Sequence, residues 1–320
     1  MTPGDPEALA QRLRERDLRA APAVLNLVES NTEADRGAAR ELLGALSPAA
    51  LGGEAPGHVI GVTGPPGVGK SSLLSHLVAA WRDAGRSVAV LAVDPSSRRS
   101  GGALLGDRAR IRTDAGDGAA FVRSTAAGET IGGLAPATRA AAAALAVAFD
   151  VVVIETVGVG QSETDVADAA DTVAVIVQPG SGDVLQFLKA GIMEVPDVLV
   201  VTKADLGRVA RRAQSDVRAA LRSLGAQDTP VVAVSSLSPP AGIEELVTAL
   251  DAHRSALDLT ARRGRARRLH ALATFTAEHG NRGLRALGGR RAAERWLDEL
   301  DTGLDVPALV AALQERAAAS

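Results

Sequence analysis

The stretch Gly64-Pro65-Pro66-Gly67-Val68-Gly69-Lys70-Ser71-Ser72 fits the pattern G-x-x-x-x-G-K-[ST], with both glycines, the lysine and the serine at the required spacing. An apolar run, Val59–Thr63, precedes it, and a helical pattern, Ser71–Trp81, follows. Strand, glycine-rich turn and helix in that order make a phosphate cradle. The glycines let backbone N–H groups face an anion, and the helix presents its positive N-terminus. Lys70 is expected to reach the β- and γ-phosphates of a nucleotide, and Ser71 to place its hydroxyl on Mg2+.

Outward from this loop, apolar runs alternate with helical patterns. The runs are His58–Thr63, Val88–Val93, Ala119–Arg123, Val151–Glu155, Val173–Gln178, Val198–Thr202 and Val231–Val234. They are apolar throughout, as expected of strands covered on both faces of a parallel sheet. Helices fit 70–84, 134–149, 183–193, 208–224 and 242–257. The expected fold is α/β, a P-loop NTPase with a doubly wound, mainly parallel sheet flanked by helices. Residues 1–50 read as a helical extension of two or three short helices, and residues 51–57 as a Gly/Pro hinge. The expected division is 1–50, 51–258 and 259–320. The last part reads as wholly helical, interrupted by Gly280, Gly283 and Gly288–Gly289.

Composition narrows the function classes. The chain has 320 residues, 46% of them apolar, and few aromatics: four Phe, two Trp and no Tyr. Ala, Val and Leu must therefore build the core. The net charge of −3 gives no case for a nucleic-acid or anionic-membrane partner. Without cysteine there is no disulfide and no thiolate metal site. The charged N-terminus lacks the apolar core of a secretory signal, and no apolar run suits a membrane span, so a cytoplasmic location is expected.

Base recognition is expected at Thr202-Lys203-Ala204-Asp205, which follows a buried run and matches [NT]KxD. The Asp205 carboxylate can accept two hydrogen bonds from the N1–H and exocyclic amine of guanine, and adenine offers no such pair. The Lys203 stem can lie over the purine. Ser235-Ser236-Leu237 follows the next run, where a base-contacting turn belongs. An ordinary strand end would also suit these residues, but their order after the phosphate loop favours guanine. Glu155-Thr156-Val157-Gly158 occupies the D-x-x-G slot, with Glu for Asp. Glu155 would bind Mg2+ directly or through water, and the Gly158 amide would sense the γ-phosphate. Val159 follows that glycine and the nearest glutamine is Gln161, which predicts slow intrinsic hydrolysis.

GPPGVGKSSL, VDPSSRRSGGALLGDRARI, FVRS, IETVGVGQSE and GIMEVPDVLVVTKAD together resemble the methylmalonyl-CoA mutase-associated GTPases. These are metallochaperone-like P-loop GTPases, a family whose members also carry the older name arginine/ornithine transport system kinases. The similarity covers residues 50–260 strongly and the flanking helices loosely. It implies a GTP-hydrolysing chaperone of a cobalamin-dependent acyl-CoA mutase, gating cofactor loading and protecting the mutase, and a homodimer formed through the C-terminal helices. It also implies that Asp94 and Asp107 join Ser71 and Glu155 around Mg2+. The plain alternatives are a turn aspartate before proline for Asp94 and a helix N-cap for Asp107.

The chain holds three lysines against thirty-two arginines. A lysine kept in such a background points to a need for its compact, flexible ammonium. Besides Lys70 and Lys203 there is Lys189, in a Gly-rich segment after Val173–Gln178. Its expected place is a switch that contacts phosphate or partner, against a plain solvent-facing lysine. Arg262, Arg263, Arg265, Arg267 and Arg268 read as a solvated helix face or dimer contacts. The five histidines are scattered, and Trp81 and Trp296 read as core or interface. The alternatives in function are a GTP-dependent metallochaperone, which lacks a His-rich or Cys-containing motif here, and a kinase, for which nothing marks an acceptor pocket.

Overall fold

The computed structural model describes residues 5–30, 32–94, 111–113, 116–126, 134–156, 162–180 and 196–319. The chain divides into two units, Gly57–Ala256 and the pair Met1–Pro56 with Leu257–Ser320.

Among the described residues the first unit holds seven strands: β1 His58–Thr63, β2 Val88–Asp94, β3 Ala120–Ala126, β4 Val151–Glu155, β5 Thr172–Val177, β6 Val198–Val201 and β7 Val231–Ala233. They form one sheet in the order β3-β2-β4-β1-β5-β6-β7, with every pairing parallel. Every residue of β1, β4, β5 and β6 is buried, which explains why their sequences show no alternation of apolar and polar side chains. The chain leaves β1 towards β2 and β3 on one side and returns through β4 to β5, β6 and β7 on the other. This places the topological switch point at the C-terminal end of β1, where open α/β sheets bind ligands.

Helices α5 Lys70–Asp83, α6 Pro136–Leu145, α7 Ser162–Ala167, α8 Arg208–Ser223 and α9 Ile243–Ala256 belong to the same unit. Leu73, Leu74, Leu77 and Trp81 of α5 pack with Ile60, Val153, Ile176 and Val200 of the sheet. Trp81 is thus core. Helix α6 is shorter than the sequence suggests, because the chain turns at Ala146–Ala148 before β4. Helix α7 was not expected. The segment 183–193, read as helical, lies outside the described residues.

At the N-terminal edge of the sheet, two of the scattered histidines meet. The hydroxyl of Thr172, which opens β5, lies 2.7 Å from His58 Nε2 and 2.8 Å from His253 Nδ1. His253 Nε2 lies 3.2 Å from Asp197 Oδ1. Burial holds the His58 pKa down to about 3, against a partial opposing pull from Asp171.

The second unit is helical: α1 Pro6–Arg14, α2 Ala21–Glu29, α3 Glu33–Ala45, α4 Pro48–Leu51, α10 Leu259–Ala286, α11 Arg290–Asp298 and α12 Val306–Ala318. Among the described residues its N-terminal part therefore holds four α-helices rather than two or three. Side-chain caps fix several starts, with Thr32, Asp258 and Asp305 accepting from Asp35, Ala261 and Ala308 N–H groups. Leu272, Phe275, Leu297, Leu309 and Leu313 form the core of the C-terminal helices.

Two expectations for this unit are corrected. Gly283 does not interrupt α10; it lies inside the helix, where a Cβ would sit 2.5 Å from the His279 Cβ and 3.1 Å from the Phe275 ring. The break in α10 is a kink at Gly280, with φ 59°. The arginine cluster is not simply a solvated face. Arg267 donates to both carboxylate oxygens of Glu54 at 2.6 and 3.0 Å, and Arg263 donates to the Ala55 carbonyl at 2.7 Å. Glu54 is only 7% exposed, so residues 54–55 of the Gly/Pro segment are held by a charge pair and an arginine–carbonyl hydrogen bond. No described helix is long and apolar enough to cross a membrane.

Candidate nucleotide site

The phosphate loop runs from β1 into α5. Gly64 has φ 145°, and a Cβ there would sit 2.2 Å from the Ile176 carbonyl oxygen of β5. Only glycine allows the loop to leave the sheet so close to its neighbour. Gly69 caps α5 with φ 97°, and among the described residues nothing lies within 4 Å of a Cβ at Gly67 or Gly69. That face of the loop is open for a ligand. Val68 points the other way and is fully buried.

Lys70 opens α5. Its ammonium donates to the carbonyls of Gly64 at 2.6 Å and Pro65 at 3.0 Å, which holds it over the loop. Ser71, the next residue, donates through Oγ to Glu155 Oε1 at 3.2 Å. Glu155 ends β4 beside β1 and is 7% exposed. Thr156 continues β4 by donating its N–H to the Val62 carbonyl at 2.9 Å. The hydroxyls of Thr63 and Thr156, at the same strand ends, are buried and make no hydrogen bond among the described residues. Asp94 is the last residue of β2, two beyond Ala92, which pairs with Glu155. Asp107, Gly158 and Lys189 lie outside the described residues.

The residues expected to read the base, Thr202–Asp205 and Ser235–Leu237, converge on the far side of the loop. Thr202 follows β6 and is 3% exposed. Its hydroxyl lies 2.8 Å from the Val68 carbonyl of the phosphate loop and 3.0 Å from that of Val177 at the end of β5. One hydroxyl proton serves both, so Thr202 ties two loops together at this sheet edge. Lys203 has φ 56° and donates through Nζ to Gln178 Oε1. The Ala204 N–H donates to the Val234 carbonyl at 3.0 Å, which joins this turn to the one after β7.

In that second turn Ser235 Oγ donates to Asp205 Oδ1 at 2.9 Å. Leu237 is 62% exposed, and the Ser236 carbonyl accepts from His76 Nε2 of α5 at 3.1 Å. The sequence had marked neither Gln178 nor His76. Gln178 could have been suspected from its place at a strand C-terminus; nothing local marks His76.

Fold and motifs together define a P-loop GTPase. The chain belongs to the family described as Methylmalonyl Co-A mutase-associated GTPase MeaB, which it matches over residues 21–282. A protein of Pyrococcus abyssi named as a GTPase is 40% identical over 263 residues, 80% of this chain and 78% of its own length. The mouse protein called methylmalonic aciduria type A homolog, mitochondrial, is 41% identical over 168 residues, 52% of this chain and 40% of its own. Among solved structures, one titled LAO/AO transport system kinase is similar with a TM-score of 0.62 and 26% identity, over 93% of this chain and 98% of that one. The chain thus binds guanine nucleotides and hydrolyses GTP.

Proposed function

We propose that this chain is a Mg2+-dependent GTPase that serves as a chaperone for a cobalamin-dependent acyl-CoA mutase of the methylmalonyl-CoA mutase type. GTP binding and hydrolysis would gate loading of the mutase cofactor and protect the mutase. The family description supports the choice of partner.

The observation that carries the hydrolytic part is the Ser71–Glu155 pair, 3.2 Å between oxygens. A hydroxyl at the start of α5 and a carboxylate at the end of β4 are hard oxygen donors, which suit Mg2+. In this reading Ser71 and Glu155 hold the ion with Asp94 and Asp107. Bound by these residues, Mg2+ would supply positive charge that offsets the negative charge developing on the transferred phosphoryl group. The Lys70 ammonium exchanges its two loop carbonyls for β- and γ-phosphate oxygens, and the backbone N–H groups from Gly67 to Ser72 surround the phosphates. Gly158 senses the γ-phosphate, and Lys189 contacts phosphate or partner in one state. Asp205 reads the guanine edge with Lys203 over the ring, while Ser235, Ser236 and Leu237 line its rim.

The division into 1–50, 51–258 and 259–320 is part of the same proposal, with the last segment forming a homodimer. No role for nucleic acid or membrane enters it. Complex formation tests the partner. The full chain, mixed with a purified apo acyl-CoA mutase, should co-elute in size-exclusion chromatography, with a stability that differs between GDP and a non-hydrolysable GTP analogue. Separate elution with both nucleotides contradicts the proposal.

A further inference from the structure

We infer that His76, on the phosphate-loop helix, is a positioning residue for guanine recognition, acting on Asp205 through a relay of hydrogen bonds. The inference rests on the assignment of Asp205 to the base. A carbonyl oxygen only accepts, so His76 Nε2 carries the proton in its bond to the Ser236 carbonyl, 3.1 Å away. That carbonyl shares a peptide plane with the Leu237 N–H, which donates to Ser235 Oγ at 3.3 Å. Ser235 Oγ in turn donates to Asp205 Oδ1 at 2.9 Å. Every donor points the same way, from His76 towards the carboxylate, and bonds aligned in this manner polarise one another.

The relay has a geometric consequence. It occupies one oxygen of Asp205 and fixes the rotation of the carboxylate, which sets the direction in which the other oxygen faces. It also anchors the Ser235–Leu237 turn to α5, the helix that starts at Lys70 and Ser71. Ser236 and His76 lie 160 residues apart in sequence. The Ser236–Leu237 peptide is thereby held from both sides, at its carbonyl by His76 and at its N–H by Ser235. The turn is otherwise secured by the paired Ser235 and Ala241 main-chain bonds, each 3.0 Å. Without His76 the peptide keeps only the hold on its N–H, and the orientation of Asp205 that discriminates bases by their donors is loosened.

The test is nucleotide discrimination by the full chain, read as the ratio of kcat/KM for GTP to that for ITP, which lacks the exocyclic amine. His76→Ala should lower this ratio about tenfold, on the scale expected when a polar contact in a recognition site is loosened. His76→Gln places an amide N–H at the same reach along the side chain and should restore it. Ser235→Ala cuts the relay at another link and should match His76→Ala, which keeps the test open if one variant folds poorly. Asp205→Asn is run beside them. If Asp205→Asn shifts base preference while His76→Ala and Ser235→Ala leave the ratio unchanged, the relay is overturned and the base assignment stands. If Asp205→Asn also leaves preference unchanged, the assignment of Asp205 falls and the relay with it.

Discussion

Ser71 Oγ stands 3.2 Å from Glu155 Oε1, which joins the first turn of α5 to the end of β4 across the switch point of the sheet. Two residues 84 positions apart thus place a hydroxyl and a carboxylate beside the phosphate loop. If they share a metal, weakening one should appear as a metal-dependence change. Glu155→Gln keeps the size and removes the charge. It is expected to lower GTP turnover by about 100-fold, or about 3 kcal/mol of lost charge stabilisation, and to raise the Mg2+ concentration at half-maximal rate. A Mg2+ titration of phosphate release checks both; an unaltered midpoint removes Glu155 from the metal site.

Asp205 accepts from Ser235 with one oxygen, and its role in reading the base makes a chemical prediction. Asp205→Asn exchanges an acceptor for a donor. Xanthine carries a carbonyl where guanine has its amine, so the variant should prefer XTP over GTP, a swing of about 100-fold or more for a recognition site whose hydrogen bonds are mismatched. Competition binding with the two nucleotides decides it.

Gly64 makes a prediction about stability. A Cβ there would meet the backbone oxygen of Ile176 at 2.2 Å in a conformation with φ 145°. Backbone cannot move aside as a side-chain tip can. Gly64→Ala should cost about 2 kcal/mol or more, lowering the urea midpoint as well as nucleotide affinity. Gly67→Ala, with open space around it, should cost less, limited to the strain of its positive φ.

His58 sets a pH dependence. Its folded pKa of about 3 lies below the ordinary value of 6.5. Between these values the unfolded chain takes up a proton that the folded chain refuses, so stability falls as pH drops below about 6.5. Above that pH the group contributes nothing. The slope approaches about 1.4 kcal/mol per pH unit, and the loss reaches about 2 kcal/mol by pH 5. His58→Gln removes this titration. Urea unfolding of both proteins at pH 7.5 and pH 5 should show a smaller acid loss for the variant; equal losses would mean that His58 is not held neutral by burial.

The sheet was legible because its physics is local. Strands covered on both faces must be apolar at every position, and β1, β4, β5 and β6 are written that way. The phosphate loop was legible because its glycines, lysine and serine are each required at fixed spacing. Position in the order of elements then placed Thr202, Asp205 and Ser235 together, as the structure finds them. What escaped was long-range pairing with no sequence period. His58 and His253 meet through Thr172 across 114 and 81 residues, and no local pattern announces it. The arginines of α10 read as a surface stripe because helical spacing alone does not reveal Glu54, 213 residues away from Arg267. Gly283 read as a break because glycine is a poor helix former; in the fold it serves the close approach of Phe275 and His279.

The direct measurement of the proposed role is the rate of phosphate release from GTP by the full chain, titrated with a purified cobalamin-dependent acyl-CoA mutase at saturating Mg2+. A rise in turnover that saturates with mutase, and that is lost with Glu155→Gln, is expected. A rate for the unaltered chain that stays constant over the whole titration would contradict the chaperone role.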